Sequence, residues 1–325
     1  MEQLSHEPLI SVRMVRMVLK SRTADAPCST ANLGPGYDVF GLALDALKDR
    51  VTITKESMSR RKITIKNNDP AIPTAVESNS ASLVVKRMMR DFGIDSNVEI
   101  QITKGVPAGY GIGSSAASSA AAAIAFNALY NLKIDKNRLI EYAAEGEIAS
   151  AGTKHYDNVS ASLLGGFVIG YKRHFIRIEP PKDLFLVVAI PISMKVPKKK
   201  TEIARSVLPE QVPLKSVVYN IAGAATIVAG FALRNVETIA MGIDDIIVEP
   251  ARKHLIPGYS SVRQNALSAG ALAVTISGAG PSMISFLKTR NSANKVAYGM
   301  ANGFEEAGIK CKTIVCRPSN GASLV

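Results

Sequence analysis

Apolar and polar positions repeat along the chain in two rhythms, and the change from one to the other marks its elements. Period-two alternation over 51–55 and again over 62–66, either side of a basic turn, predicts a β-hairpin. Residues 80–92 carry helical spacing, with Ala81, Val84, Val85, Met88 and Met89 on one side. Residues 98–103 read as a strand entering a glycine-rich loop, and an Ala-rich helix follows. Asp135 is placed to cap a further helix over 136–151. Strands are predicted at 165–171 and 184–190, either side of Glu179-Pro180-Pro181. The second half predicts helices at 214–233, 236–241, 260–269 and 291–307, with strands at 273–277, 283–287 and 310–316. Mixed strands and helices predict an α+β class. The Pro180-Pro181 step predicts two domains, 22–180 and 181–325, after an N-terminal extension over 1–21.

The richest chemistry lies in Pro107-Ala108-Gly109-Tyr110-Gly111-Ile112-Gly113-Ser114-Ser115-Ala116-Ala117. Alternate glycines let backbone N–H groups approach a ligand closely. A helix opening directly after them adds unpaired donors and the positive end of a dipole, which together trap an anion such as phosphate. The two serines are placed to cap the helix, and one can ligate a magnesium ion. No lysine follows Gly113 as a P-loop requires, and the spacing is not that of a dinucleotide fingerprint.

A second signal is Glu147. On a helix over 136–151 it shares a face with Ile140, Ala143, Ala144 and Ala151, while Glu141 and Glu145 point away. A carboxylate on an apolar face is either salt-bridged or bound to a cation.

The glycine run resembles motif 2 of the GHMP kinases. Residues 26–38, Ala-Pro-Cys-Ser-Thr-Ala-Asn-Leu-Gly-Pro-Gly-Tyr-Asp, resemble motif 1, and Ser277-Gly278-Ala279-Gly280-Pro281-Ser282 resembles motif 3. The likeness spans roughly 22–317 and is nearest to the family branch that phosphorylates L-homoserine in threonine biosynthesis. It implies a two-domain GHMP kinase fold, with an N-terminal domain like ribosomal protein S5 domain 2 and a ferredoxin-like C-terminal domain. It implies ATP along Pro107, Ala108, Gly109, Tyr110, Gly111, Ile112, Gly113, Ser114, Ser115, Ala116 and Ala117, with Thr201 nearby, and Mg²⁺ on Ser115 and Glu147. For the amino-acid substrate it implies Arg205 and Arg252 on the α-carboxylate and Asp38 on the ammonium. Asn32 would hold the hydroxyl end, with His155 and Asn158 also in contact. Asp157, Asn158 and Arg205 are the catalytic candidates, and whether Asp157 acts as a base stays open. Tyr110, Ile112 and Pro35 depart from the commonest motif residues, and Tyr110 bears on the adenine or ribose side of the pocket. Family members are commonly homodimers in the cytoplasm.

Composition changes this picture little. The net charge of +12 raises an RNA-binding alternative beside the S5-like half, but the basic clusters lack interleaved aromatics. Lys198–Lys200 reads first as a solvated face and second as phosphate steering. Another GHMP kinase, of shikimate or mevalonate type, is the enzymatic alternative. Three cysteines without a CxxC pair suit a reducing compartment, with Cys28 as a small hydrophobe. No run approaches 18 uninterrupted apolar residues, so no membrane span is expected.

Overall fold

The computed structural model describes residues 20–56, 62–197 and 199–325. All but the last two residues of the expected extension, the Arg60-Arg61 part of the basic turn, and Lys198 lie outside the described residues. The chain runs β1 (Lys20–Ala31), β2 (Phe40–Glu56), β3 (Ile63–Asn67), α1 (Ser80–Asp91), β4 (Asn97–Thr103) and α2 (Ser114–Leu129). Next come α3 (Lys136–Ala143), α4 (Ile148–Ala151), α5 (Asp157–Leu164), β5 (Phe167–Tyr171), β6 (His174–Ile178) and β7 (Phe185–Ile190). The rest is α6 (Lys200–Ser206), α7 (Leu214–Ala232), α8 (Val236–Gly242), α9 (Val248–Arg252), α10 (Tyr259–Ser268), β8 (Ala273–Ile276), β9 (Met283–Leu287), α11 (Ala293–Glu305), β10 (Lys312–Cys316) and β11 (Ser323–Leu324).

Two sheets result. The first has the order β11-β1-β2-β4-β3, with β5 paired to the start of β2 and β6 to β5. Its last strand, β11, returns from the C-terminus to pair with β1. The second is wholly antiparallel with the order β10-β7-β9-β8. Numbered among themselves its strands lie 4-1-3-2, and α10 and α11 connect the first to the second and the third to the fourth. That is the ferredoxin-like arrangement. Period-two alternation splits β7 between two cores: Leu186, Val188 and Ile190 join the large core under the first sheet, while Val187 and Ala189 face α10 and α11.

Several sequence expectations change. The strands at 51–55 and 62–66 form no hairpin: β3 lies parallel to β4, and β2 takes β4 as its antiparallel partner. Alternation specifies a strand without specifying its neighbour. The helix expected over 136–151 breaks into α3, a 3-10 turn at Ala144–Glu147, and α4. Gly146 presses so closely on α2 that a Cβ there would lie 1.9 Å from Ser119 Oγ. Asp135 does cap α3, accepting from the Arg138 N–H at 3.0 Å. Helix α7 is 19 residues long with mean hydropathy 1.4, so by length and composition alone it could cross a membrane. Its Leu214, Val218 and Ile221 are exposed.

Helix α2 is apolar all round because it is central, buried from Ala116 to Phe126 against β1, β2, α1, α3 and α5. Its start is fixed by a buried ion pair. Asp49, on the inward face of β2, is fully buried and accepts from the Gly105 and Val106 N–H groups at 3.0 Å each. It also accepts from Ser118 Oγ at 2.6 Å and from the Lys104 ammonium. Lys104 in turn donates to Ser114 Oγ at 2.8 Å and Ser118 Oγ at 3.0 Å. Asp49→Ala, which strands the ammonium, is expected to cost about 3–5 kcal/mol in urea unfolding. The double variant Asp49→Leu with Lys104→Met should cost less than the sum of the two single changes.

Candidate active site

Three loops meet where the sheets join. The 32–39 loop connects β1 to β2, and in it Asn32 and Asp38 adopt left-handed backbone, with φ of 71° and 56°. Asn32 spans two loops: its amide donates to Gly278 O at 2.9 Å, and its Oδ1 accepts the Asp38 N–H at 3.1 Å. The glycine-rich loop connects β4 to α2. Gly113, at φ 67°, would place a Cβ 2.2 Å from Ser29 Oγ; Gly111, at φ 79°, would place one 2.4 Å from Gly280 O. Only glycine meets both the backbone and the space required there. Ser277 Oγ completes the junction, within hydrogen-bond distance of Gly111 O at 2.8 Å and Thr30 Oγ1 at 2.9 Å.

The serines do not cap α2. Ser114 Oγ donates to Val106 O at 2.7 Å, and Ser115 Oγ pairs with Ser80 Oγ at 2.7 Å. With no side-chain cap on Gly113, the first N–H groups of α2 keep their donors for a ligand.

Together these loops line a cleft of about 760 Å³. Into it project Ala108, Gly109, Gly111, Gly113, Ser114, Ser115 and Ala116 of the glycine-rich loop, with Glu147 and Thr201 beside them. Asn32, Asp38, His155, Asp157, Asn158, Arg205 and Arg252 line the same cleft. Four expected residues do not: Pro107, Tyr110, Ile112 and Ala117. Ile112 and Ala117 are buried behind the loop, and the Tyr110 hydroxyl donates to Ile192 O at 3.2 Å.

Asp38 and Arg205 form a two-contact ion pair, with Nη2 at 2.8 and 2.7 Å from the carboxylate oxygens. The same guanidinium donates to His155 Nδ1 at 3.1 Å, while His155 Nε2 lies 3.1 Å from Thr153 Oγ1. Burial and the adjacent Arg205 hold the imidazole below its usual pKa. Tyr37 lies between two guanidiniums, its ring centroid 5.5 Å from Arg205 and 5.1 Å from Arg252. Arg252 is almost wholly buried and donates to Ala204 O at 2.8 Å. Ser29 Oγ donates to Asn158 Oδ1 at 3.0 Å, which sets that amide against Gly113.

Two buried carboxyls, Glu147 and Asp157, line the cleft. Burial raises Glu147 to about 7 despite the Ser115 hydroxyl beside it, and raises Asp157 to about 6 with Asp38 adding to the effect. Glu141 and Glu145 do point elsewhere, Glu145 pairing with Arg87 and with Lys154. Among the described residues no group of three or more His, Cys, Asp or Glu side chains converges as a metal cage. A hydroxyl and a buried carboxylate are instead the partial, hard-oxygen set that suits Mg²⁺ when phosphates supply further ligands.

Residues 79–166 match the family model for the GHMP kinases N-terminal domain, and 228–306 match that for the GHMP kinases C-terminal domain. The chain is 41% identical over 307 residues to homoserine kinase of Methanopyrus kandleri, covering 94% of this chain and 98% of that one. It is 39% identical over 303 residues to homoserine kinase of Thermoplasma acidophilum, covering 92% and 95%. The chain belongs to the GHMP kinase family. A solved homoserine kinase from Cytophaga hutchinsonii superposes with a TM-score of 0.88 at 32% identity, over 99% of this chain and all of that one. Mevalonate diphosphate decarboxylase of Staphylococcus aureus, at 17% identity and a TM-score of 0.71, shares the fold.

Sequence reasoning passed over Asp49, Lys104, Ser29 and Tyr37, and it read Lys200 first as part of a solvated face and second as phosphate steering. Asp49 was detectable, since it shares its parity along β2 with the buried Val51 and Ile53. Lys200 lines the cleft, and no spacing signalled that. Gly111→Ala must move the Gly280 and Ser277 carbonyls, which approach within 2.4 and 2.5 Å of the new Cβ. Thermal unfolding should register a loss of about 1–3 kcal/mol, and nucleotide affinity should fall with it.

Proposed function

We propose that this chain is an ATP:L-homoserine O-phosphotransferase, transferring the ATP γ-phosphoryl group to the homoserine hydroxyl to give O-phospho-L-homoserine. One observation carries the reading: a single cleft joins the uncapped N-terminus of α2 to the Asp38–Arg205 ion pair and a second, buried guanidinium, Arg252. The first feature suits phosphates and the second a zwitterion. Arg252 and Arg205 receive the α-carboxylate, Asp38 the ammonium, and Asn32 orients Asp38 through its N–H. The Asp38–Arg205 pair is more than a third exposed on both sides, so opening it for a substrate costs little.

ATP lies along Ala108–Ala116 with Thr201, while Pro107, Tyr110, Ile112 and Ala117 support the loop from behind. Mg²⁺ is held by Ser115 and Glu147, and when bound it neutralises charge on the phosphates. Asn158, fixed by Ser29 against Gly113, and His155, fixed by Thr153 and Arg205, position the acceptor. As the new O–P bond forms and the bond to ADP breaks, the hydroxyl proton leaves. Asp157 is the cleft carboxylate placed to take it. Positioning and charge neutralisation supply most of the rate in so loose a transition state. The assembly is a homodimer in which a second copy covers the apolar side of α7, where Leu214 is 78% and Ile221 62% exposed.

ADP release with ATP and L-homoserine, L-serine, shikimate or mevalonate tests the activity. Homoserine-selective turnover is expected, lost in EDTA and reduced by roughly a thousandfold or more in Glu147→Ala. Asp157→Asn should lower kcat by about 10²–10⁴-fold, and a loss under tenfold would leave it a positioning residue. Turnover of shikimate or mevalonate instead would remove the zwitterion assignment. Light scattering during size exclusion should give twice the 34.6 kDa chain mass, falling to the single mass in Ile221→Glu.

A further inference from the structure

Helix α6 contributes one residue, Lys200, to the cleft that the roles above leave unused. Residues 192–197 lie over the glycine-rich loop. Tyr110 holds Ile192 O from below, and Gly109 abuts Val196, whose Cγ1 would be 2.9 Å from a Cβ at that glycine. Lys200, the first residue of α6, turns back under this strap, and its Nζ donates to Gly280 O at 2.5 Å. That is the same carbonyl oxygen against which Gly111 presses. The ammonium therefore stands at the middle of the glycine-rich loop.

Its charge is poorly answered there. Arg205 is paired with Asp38, and Lys104 with Asp49. Among the described residues Lys200 has no carboxylate at ion-pair distance, only a neutral carbonyl, and it feels Arg252 as a like charge and Glu147 as an opposite one. A cation drawn from water into such a site needs an anion to offset its desolvation. The neighbours also locate that anion. Glu147 belongs to the end of the cleft beside Ser115, and Arg252 to the end beside Tyr37. A group passing from one end to the other passes Lys200.

We infer that Lys200 is a catalytic residue that binds the terminal phosphoryl group of the nucleoside triphosphate and stays with it as it crosses to the acceptor. The inference rests on the phosphotransferase reading but not on the identity of the acceptor. The ammonium exchanges the Gly280 carbonyl for phosphoryl oxygens, forming charge-assisted bonds that a diphosphate cannot offer. Lys200 thereby makes the site discriminate triphosphate from diphosphate and stabilises the charge spread over the transferring oxygens.

Calorimetric titration of ADP and of the non-hydrolysable analogue AMP-PNP into wild type, Lys200→Met and Lys200→Arg tests this. Lys200→Met should bind AMP-PNP about 10- to 100-fold more weakly while ADP affinity stays within about threefold. Its kcat should fall by roughly 10²–10³ with the homoserine KM little changed. Lys200→Arg, which keeps the charge, should recover most of the preference for AMP-PNP. Equal losses of ADP and AMP-PNP affinity would show that Lys200 merely supports the loop, and no loss of either would place it away from the phosphates; both overturn the inference. If wild type fails to phosphorylate homoserine while Lys200→Met still loses its preference for AMP-PNP, the acceptor assignment fails and that of Lys200 stands.

Discussion

The buried Asp49–Lys104 pair is the interaction on which the site depends. A helix that offers its first N–H groups to a ligand cannot use them to anchor itself, so α2 must be held in place by something else. Asp49 holds the two N–H groups of Gly105 and Val106 that lead into the loop, and Lys104 holds Ser114 and Ser118 in the first turns of the helix. Both charges are almost fully removed from water, so each is tolerable only while the other is present. Stability and function are joined there: the pair fixes the place at which the dipole and the free donors of α2 act.

Around that fixed point the architecture is one of close backbone approach. The glycine-rich loop touches the β1 edge at Ser29 and the β8–β9 turn at Gly280 and Ser277. Asn32 and Ser277 then cross-link the first sheet to the second. Because these contacts are made by carbonyls and small side chains, the two sheets are held in register at the site itself. The acidic and basic side chains of α5, α6 and α9 are consequently brought to one cleft from three separate parts of the chain.

Much of this was legible in the sequence. The helices at 80–92, 214–233 and 291–307 and the strands of the second sheet lie where periodicity put them, within a few residues. In α1, α11 and the strands the apolar face is the buried one, so local pattern and final environment agree; α7 instead leaves Leu214, Val218 and Ile221 exposed. Strand partnership was not legible: β3 carries the alternation of a hairpin strand yet runs parallel to β4, because α1 intervenes between them. The break before Glu147 was hidden for a similar reason. Gly146 is tolerable within a helix pattern, and the close approach of Ser119 and the Ser80 carbonyl to it arises only from the packing of α1 and α2. The serines at 114 and 115 have the residue type of caps, but Val106 and Ser80 claim their hydroxyls.

The family resemblance pointed to the arginines and acid that suit a zwitterion, while the sequence by itself determined the local chemistry: glycines spaced for a phosphate and an acid on an apolar face. Those properties are local, since residue type and spacing fix which groups a segment can present. Only the tertiary structure decided which of those groups meet. It removed Tyr110 and Ile112 from the cleft, brought Lys200 into it, and set Tyr37 between Arg205 and Arg252. Burial and proximity across hundreds of residues set the charge states there, and neither quantity is written in any window of the chain.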